Sequence, residues 1–517
     1  MGAFFLVFEP QREERERLAA SLDASLRAQG FGRGARVALG SVVAAFSGKL
    51  CGEPPQLHVD GPDSFAGIAG TAVLDGDVGV RLAGRLCRSD VDLASARERM
   101  LGNFCLVRGD RGRVRLCLDP FGLYHVYRSA DSRVFSSSFV AVAQALGAIE
   151  PDPQGVYEYA FLSTVYGDGT VAREIRRAER DGEYSFDTDV SFRRFAATDS
   201  LRPQETDVEA LAEACLDRLD SIFAAIGAGF GEHIGTALSG GYDTRLMLAL
   251  LWHQGLHPAV HVYGASDSPD VVAARAIADG EGFVLEHCDK NRLSLPQPTD
   301  LAAVVERNFL AFDGWPITGI FDSGADFATR QARAAGGRLM LNGGGGEILR
   351  SWFHVRERTY APLEIAWSVF SRHMAAWCTS EFDEDAHLNA LADKISARAG
   401  GSRALARAEL AFLFSSFRCS DWMGRNNSVN HRFGWALTPF VDRHLTRLCA
   451  GIPWRHRRHG RLAARLIRAR SPRLASYPSA YGHRFDQDPP LTRRIVDQAL
   501  YRRPPRLRRY AYTIQLR

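Results

Sequence analysis

Apolar residues follow two periodicities along the chain. Up to about residue 195 they come in short β-prone runs separated by turn residues, which predicts β-strands at 3–8, 56–60, 67–74, 78–86, 104–108, 114–118, 124–128 and 134–137. The runs 104–108 and 114–118 flank Gly109-Asp110-Arg111-Gly112, and 124–128 and 134–137 flank Ala130-Asp131-Ser132. Each pair reads as a hairpin. Helical spacing appears at 13–29 and 95–100. Two layers of sheet with few helices fit this half, and its end is expected at 196–206, where polar residues and Pro203 break the pattern.

Beyond the break, 207–228 is a long amphipathic helix with Leu211, Leu216, Leu219 and Phe223 on one side. Strands at 233–238, 259–263, 283–287 and 338–341 then alternate with helices that start at Asp243 and cover 270–280 and 325–335. That alternation predicts a doubly wound parallel sheet, which binds ligands outside the carboxyl ends of its strands. From about residue 362 the pattern is helical and amphipathic, with breaks at Gly400-Gly401, at 425–427 and at Pro439.

Two strand ends carry candidate chemistry. The first runs Leu238-Ser239-Gly240-Gly241 into a helix opened by Asp243, Thr244 and Arg245. A glycine turn feeding a helix N-terminus makes an anion site, and Asp243 beside it is a hard oxygen ligand suited to Mg²⁺. The plainer alternative is a tight turn with Asp243 as N-cap. The second strand end is Asn342-Gly343-Gly344-Gly345-Gly346-Glu347. Four glycines carry a cost in backbone entropy, for which close approach of a ligand is the expected reason. Glu347 brings a second carboxylate. The alternative here is a flexible loop.

Composition narrows the picture. A chain of 517 residues with 46% hydrophobic residues is globular and large enough for two or three domains. A net charge of +4 argues for no polyanion, so nucleic acid is not expected. The segment 455–517 nevertheless holds 17 Arg against Asp486, Asp488 and Asp497, which is either a solvated basic face or a site for phosphate, carboxylate, a peptide or an acidic partner. Lys49, Lys290 and Lys394 are the only lysines, which limits any mechanism needing one. The nine cysteines are scattered, without a C-x-x-C pair, and read as reduced residues of a cytoplasmic protein. No signal peptide and no apolar stretch of membrane-spanning length is evident.

In order and spacing, these pieces resemble the asparagine synthetase family nearly end to end. LSGGYDTR, 238–245, is similar to that family's pyrophosphate loop S-G-G-x-D-S, with Thr244 in place of the serine. HVYGASDSPDVVAARAIADGEGFVLEH, 261–287, resembles the strand-helix-strand that follows it. LNGGGGEILRSWF, 341–353, resembles the second loop, and ALTPFVDRHLTRLCAGIP, 436–453, the R-x-P-F-L-D helix. Residues 101–138, including D-P-F-G, resemble the glutaminase half. The resemblance implies an α/β multidomain chain. Residues 1–196 would form an N-terminal α+β glutaminase-like, Ntn-type two-sheet sandwich. Residues 207–517 would form a doubly wound pyrophosphate-loop ATPase domain with a helical C-terminal part.

It implies an ATP site made of Leu238, Ser239, Gly240, Gly241, Asp243, Thr244, Tyr263, Gly264, Gly343, Gly344 and Gly345, with Mg²⁺ on Asp243 and Glu347. Departures matter as much. The family's glutaminase begins Met-Cys-Gly, whereas Gly2 stands here and offers no thiolate. Its Asn-Gly-Glu run falls on Ala83-Gly84-Arg85 and its glutamine-binding aspartate on or near Leu101, so no glutamine hydrolysis is expected. A late lysine is missing. Arg484, beside His483, is the candidate to supply its charge, although an arginine is always protonated and cannot act as a base. The implied function is AMP-forming amide ligation of a small-molecule or peptide carboxylate with an amine. Lasso-peptide cyclisation, ammonia-dependent asparagine formation and an inactive ATP-binding pseudo-enzyme stand as alternatives, and a homodimer is compatible with the sequence.

Overall fold

The structure is a computed structural model in which residues 1–88, 92–195, 207–292, 296–315, 325–372, 375 and 378–510 are described. The expected break at 196–206 therefore lies outside the described residues. Three sheets organise the chain. The first is antiparallel, in the order Ile175–Arg177, Tyr127–Ser129, Val134–Ser136, Ala3–Phe8, Val42–Ser47 and Ala35–Leu39. The second is also antiparallel, in the order Val190–Arg194, Gly182–Phe186, Arg113–Leu118, Leu101–Asp110, Ser64–Val73 and Leu57–Val59.

These two sheets pack face to face. Phe4, Leu6 and Phe46 of the first meet Phe65, Val107, Leu116 and Phe186 of the second in one core. Helices Arg12–Ala28 and Phe139–Leu146 cover the outside of the first sheet, and Gly79–Arg88 and Leu93–Arg99 the outside of the second. Strands buried on both faces explain their long apolar runs: all six residues of Ala3–Phe8 are buried.

One sequence expectation fails here. Residues 78–86 were expected as a strand, and Val78, Val80 and Leu82 do alternate, but Gly79–Arg88 is a helix. The buried set is Leu82, Ala83, Leu86 and Cys87, which is helical spacing, while Val80 is 44% exposed. Ala83-Gly84-Arg85 consequently sits on the outer face of the sandwich, where Arg85 pairs with Asp75 (2.7 Å) and Asp77 (3.1 Å). It does not face the start of the chain.

The residues that do are Gln56, Gly70, Thr71, Lys49 and, from the other half, His431. Lys49 Nζ donates to the carbonyls of Met1 (3.4 Å), Gly70 (3.5 Å) and His431 (3.1 Å), and Gln56 Nε2 to Gly70 O (3.1 Å). Thr71 Oγ1 meets His431 Nδ1 at 3.2 Å and accepts from Ala436 N at 3.1 Å. Burial pulls the Lys49 ammonium down to about 7. A Cβ on Gly2 would stand 2.6 Å from Gly48 O and 2.8 Å from Lys49 Cα. The space a side chain at position 2 would need is filled.

The third sheet is parallel throughout, in the order Leu285–Cys288, Ala259–Tyr263, Ile234–Ala237, Leu339–Leu341, Trp435–Leu437. The chain builds outward from Ile234–Ala237 to one edge, then returns to its other side. The topological switch lies between Ile234–Ala237 and Leu339–Leu341. Trp435–Leu437 falls in a stretch that reads as helical in the sequence; three residues are too few to establish a period. Helices Val208–Phe230, Tyr242–His253 and Pro269–Glu281 match the amphipathic pattern and bury their apolar stripes in one large core.

Substituting Gly2→Cys tests the filled chamber. Overpacking of this kind costs about 1–3 kcal/mol. The expected outcome is a lower melting temperature with no gain of glutamine hydrolysis, followed by thermal denaturation and by glutamate release.

Candidate active site

The switch point brings the two candidate carboxylates together. Asp243 lies in the first turn of Tyr242–His253, just past the strand Ile234–Ala237. Glu347 lies in the short helical turn Gly346–Leu349, just past Leu339–Leu341. Because those strands are neighbours, their carboxyl ends open into one crevice. Asp243 is pushed up to about 6, first by burial, with the negative charge of Glu347 adding to the rise and Arg350 opposing it. Arg350 Nη2 donates to Asp243 Oδ2 at 2.5 Å, while Oδ1 is buried without a partner. Arg350 is held above its usual range by Asp243, Tyr481 and Glu347 against the cost of burial. Its only mark in the sequence is its place three residues after Glu347.

The glycine loop is wired differently from a bare anion cradle. Ser239 N donates to Thr244 Oγ1 (2.9 Å), Gly240 N to Asp270 Oδ1 (2.9 Å) and Gly241 N to Ser239 Oγ (3.2 Å). Thr244 thus does what a hydroxyl at that position must do. A carboxylate already sits on the Gly240 amide, and no side chain caps the helix at Gly241. The open donors are the N–H groups of the first turn. Leu238 is buried, with its amide on His261 O (2.8 Å). At the next strand end, Tyr263 lies beneath Lys290 (4.9 Å) and Arg333 (5.4 Å). Gly264 donates to Cys288 O (3.2 Å) and accepts from His287 Nε2 (2.8 Å).

The four-glycine run has a packing reason. Cβ atoms on Gly344, Gly345 and Gly346 would strike Met423, Val441 and the Asp243 carboxylate respectively, and Gly345 has φ +84°. A Cβ on Gly343 would come within 3.4 Å of the Thr244 methyl. Close approach by the chain itself therefore accounts for the glycines. The Gly346 contact is what lets the second loop touch Asp243.

A strap from the C-terminal part closes over the first loop. Arg245 is fully buried and donates to Leu474 O (3.3 Å), Tyr477 O (2.9 Å) and Pro478 O (2.6 Å), with Phe485 stacked on its guanidinium at 4.4 Å. Tyr242 stacks on Phe485 (3.9 Å) and Tyr481 (5.2 Å), and its hydroxyl meets His483 Nε2 at 3.1 Å. Ala480 N donates to Gly240 O at 3.1 Å, so close that Gly240 has no room for a Cβ. Arg484 travels on this strap, but its side chain is 46% exposed and pairs with Asp486 at 3.3 Å. The cation on the Asp243 carboxylate is Arg350, not Arg484.

Several arginines of 455–517 also find partners inside the chain. Arg465 pairs with Glu209, Arg470 with Asp220, Arg473 with Glu281 and Arg509 with Glu384.

Residues 230–472, which hold both loops and their crevice, match the family model of asparagine synthase. Over this segment, somewhat less than half of its length, the chain is similar to that family. This similarity supports an ATP-dependent amide ligase of the asparagine synthetase type. The described part of the domain includes the parallel sheet, and the strap at 474–485 follows directly after the matched residues. No curated relative matches the chain by sequence.

Two solved structures show weak likeness. One is a glutamine phosphoribosylpyrophosphate amidotransferase from B. subtilis complexed with ADP and GMP. It has 12% identity and a TM-score of 0.27, with 55% of this chain and 65% of that chain covered. The other is described as the allosteric regulatory enzyme of purine biosynthesis. It has 11% identity and a TM-score of 0.26, with 56% and 80% covered. The chain thus spans less than two thirds of the first, and at such scores neither bears on the reading of the site. Among the described residues no helix is long and apolar enough to cross a membrane, and all nine cysteines are free.

Replacing Arg245 by Met keeps bulk but removes the donor to Leu474 O, Tyr477 O and Pro478 O, and for the buried Leu474 carbonyl this costs about 1–3 kcal/mol. The expected result is loss of the strap: faster proteolysis between residues 474 and 485, read by limited digestion and mass mapping, and a lower melting temperature.

Proposed function

We propose that the chain adenylates a substrate carboxylate with ATP and joins it to an amine, without hydrolysing glutamine. The observation that carries this reading is the convergence of Asp243, Glu347 and Arg350 at the switch point, beside an uncapped helix N-terminus. The Asp243 oxygen Oδ1 is an orphaned buried acceptor. Among the described residues no group of three or more His, Cys, Asp or Glu gathers for a metal. Two carboxylates nonetheless suit Mg²⁺, which uses one or two of them and completes its shell with water and phosphate oxygens. Asp243 and Glu347 would hold it, and when bound it neutralises charge on the phosphates.

The chain's own residues do the rest. The first-turn N–H groups of Tyr242–His253 bind the pyrophosphate portion of ATP, with Ser239, Gly240, Gly241 and Thr244 shaping the turn. Leu238, Tyr263 and Gly264 border the nucleotide at the adjoining strand ends, and Gly343, Gly344 and Gly345 hold the second loop against the first. An oxygen of the substrate carboxylate attacks the α-phosphorus, the bond to the bridging oxygen breaks, and pyrophosphate leaves. Arg350 is placed to balance the charge that builds there. The amine nitrogen then attacks the acyl carbon, AMP leaves, and the amine's proton passes to solvent. Arg484 is kept in a lesser role, on the strap that shields these steps from water.

The amine does not come from glutamine in this reading. What supports that is the filled space around Gly2 and the absence of a thiol at that position. The amine is free ammonia or belongs to a substrate. The substrates are a small-molecule or peptide carboxylate and its amine partner.

The test is pyrophosphate release from Mg·ATP over a panel of carboxylates and amines. Asp243→Asn is expected to lower release by at least about a hundredfold, comparable to losing one charge-stabilising group in a catalytic site. Arg350→Gln is expected to lower kcat more than it raises KM. Full activity of Asp243→Asn overturns the assignment, and nucleotide binding without release for any substrate favours a binding protein instead.

A further inference from the structure

A cleft of about 420 Å³ lies away from the switch point, between the β-sandwich and the helical part. One wall is Gly122 to Val126 and Arg177 to Asp181 from the sandwich. The other is the last turn of the helix Glu384–Arg398 and the segment around Ser420 and Asp421. Its floor carries one carboxylate, Asp421, which is buried and accepts from Gly167 N (3.0 Å). Arg177 Nη2 pairs with Asp421 Oδ1 at 3.1 Å, and Arg180 approaches the same oxygen at 3.9 Å while donating to Ser420 Oγ and Phe121 O. The third guanidinium, Arg398, lines the cleft. It is partly exposed and forms no ion pair within 4.0 Å among the described residues, although Asp421 and, more weakly, Asp181 and Asp168 act on it at longer range.

The charges around this floor do not balance. Of the other carboxylates lining the cleft, Glu179 is taken by Arg128 (2.9 Å), Asp181 pairs with Arg194 (3.4 Å), and Asp168 is exposed at the rim. Lys394 is held by Glu158 (2.7 Å), outside the cleft. Three guanidinium groups thus face one buried carboxylate. His125 does not add to the excess: burial, with Arg177 beside it, pulls it down to about 3, so it is neutral. The C-terminal end of the Glu384–Arg398 helix supplies only a partial negative charge. Guanidinium groups withdrawn from water need an anion with planar or tetrahedral oxygens, and the fork geometry of arginine suits both carboxylate and phosphate.

We infer that this cleft binds a small organic anion, carrying phosphate or carboxylate groups, that bridges the sandwich and the helical part through Arg398, Arg177 and Arg180. Tyr124 and Phe412 give the rest of the ligand apolar walls, and the volume suits a metabolite and not a polymer. None of the residues lining this cleft belongs to the proposed nucleotide site. A ligand held from both sides stabilises the docked arrangement by mass action.

Thermal shift and calorimetry of the full chain, without ATP or Mg²⁺, test this, with inorganic phosphate in one arm and citrate in the other. A saturable rise in melting temperature is expected in at least one arm. Arg398→Gln is expected to weaken that Kd by about tenfold or more, the loss of one charge-assisted contact, and Arg398→Lys to weaken it less. Asp243→Asn keeps the shift, which separates this site from the proposed catalytic one. A flat response to both anions up to millimolar concentration overturns the inference, as does a response unchanged in Arg398→Gln. A response abolished by Asp243→Asn also overturns it.

Discussion

The Asp243 carboxylate is largely withdrawn from water beside the negative charge of Glu347, and the site is built around that constraint. Asp243 is buried at the start of a helix, and Glu347 faces the same crevice from the next loop. Burial and the second negative charge both push Asp243 toward its neutral form; Arg350 pulls it back. The backbone of the second loop is shaped to allow this approach, since a side chain at residue 346 would occupy the space of the Asp243 carboxylate. One position on Asp243, Oδ1, is left unsatisfied at a cost the fold tolerates. Such local debts are found where a ligand completes the structure.

The strap at 474–485 gives the first loop its second purpose. Gly240, read as room for a phosphate, is also room for Ala480, and Arg245 is buried to hold three carbonyls of the strap. Loop and cover are one packed unit. The β-sandwich is likewise more than an attached remnant. Thr71 and Lys49 carry bonds from its central chamber to His431 and Ala436 of the other half, while Gln56 bonds within the sandwich to Gly70 O. Leu50 and Cys51 donate to Arg432 O and Phe433 O. These bonds join the two halves.

Much of this was legible in the residues. The strand Ala259–Tyr263 and the helix Pro269–Glu281 stand where periodicity puts them, because each buries a full face against one core and the apolar spacing records it. The strands Ala35–Leu39 and Val190–Arg194 went unread because exposed and charged residues break their alternation, and Val42–Ser47 because it is buried throughout and does not alternate. The helix Gly79–Arg88 was read as a strand because Val78, Val80 and Leu82 mimic period two. Ala83-Gly84-Arg85, matched by resemblance to the family's Asn-Gly-Glu run, lies on that helix on the outer face of the second sheet.

The sequence by itself determined that two glycine loops, each ending in a carboxylate, follow two parallel strands, and that position 2 carries no thiol. Those properties are local: strand, turn and helix onset are set by spacing within about a dozen residues. Only the tertiary structure decided which strands are neighbours, and therefore that Asp243 meets Glu347 and Arg350 while Arg484 turns to Asp486. It also decided that the arginines 177, 180 and 398 surround one aspartate. Contacts between residues more than a hundred positions apart depend on strand order and helix docking, and neither leaves a period in the chain.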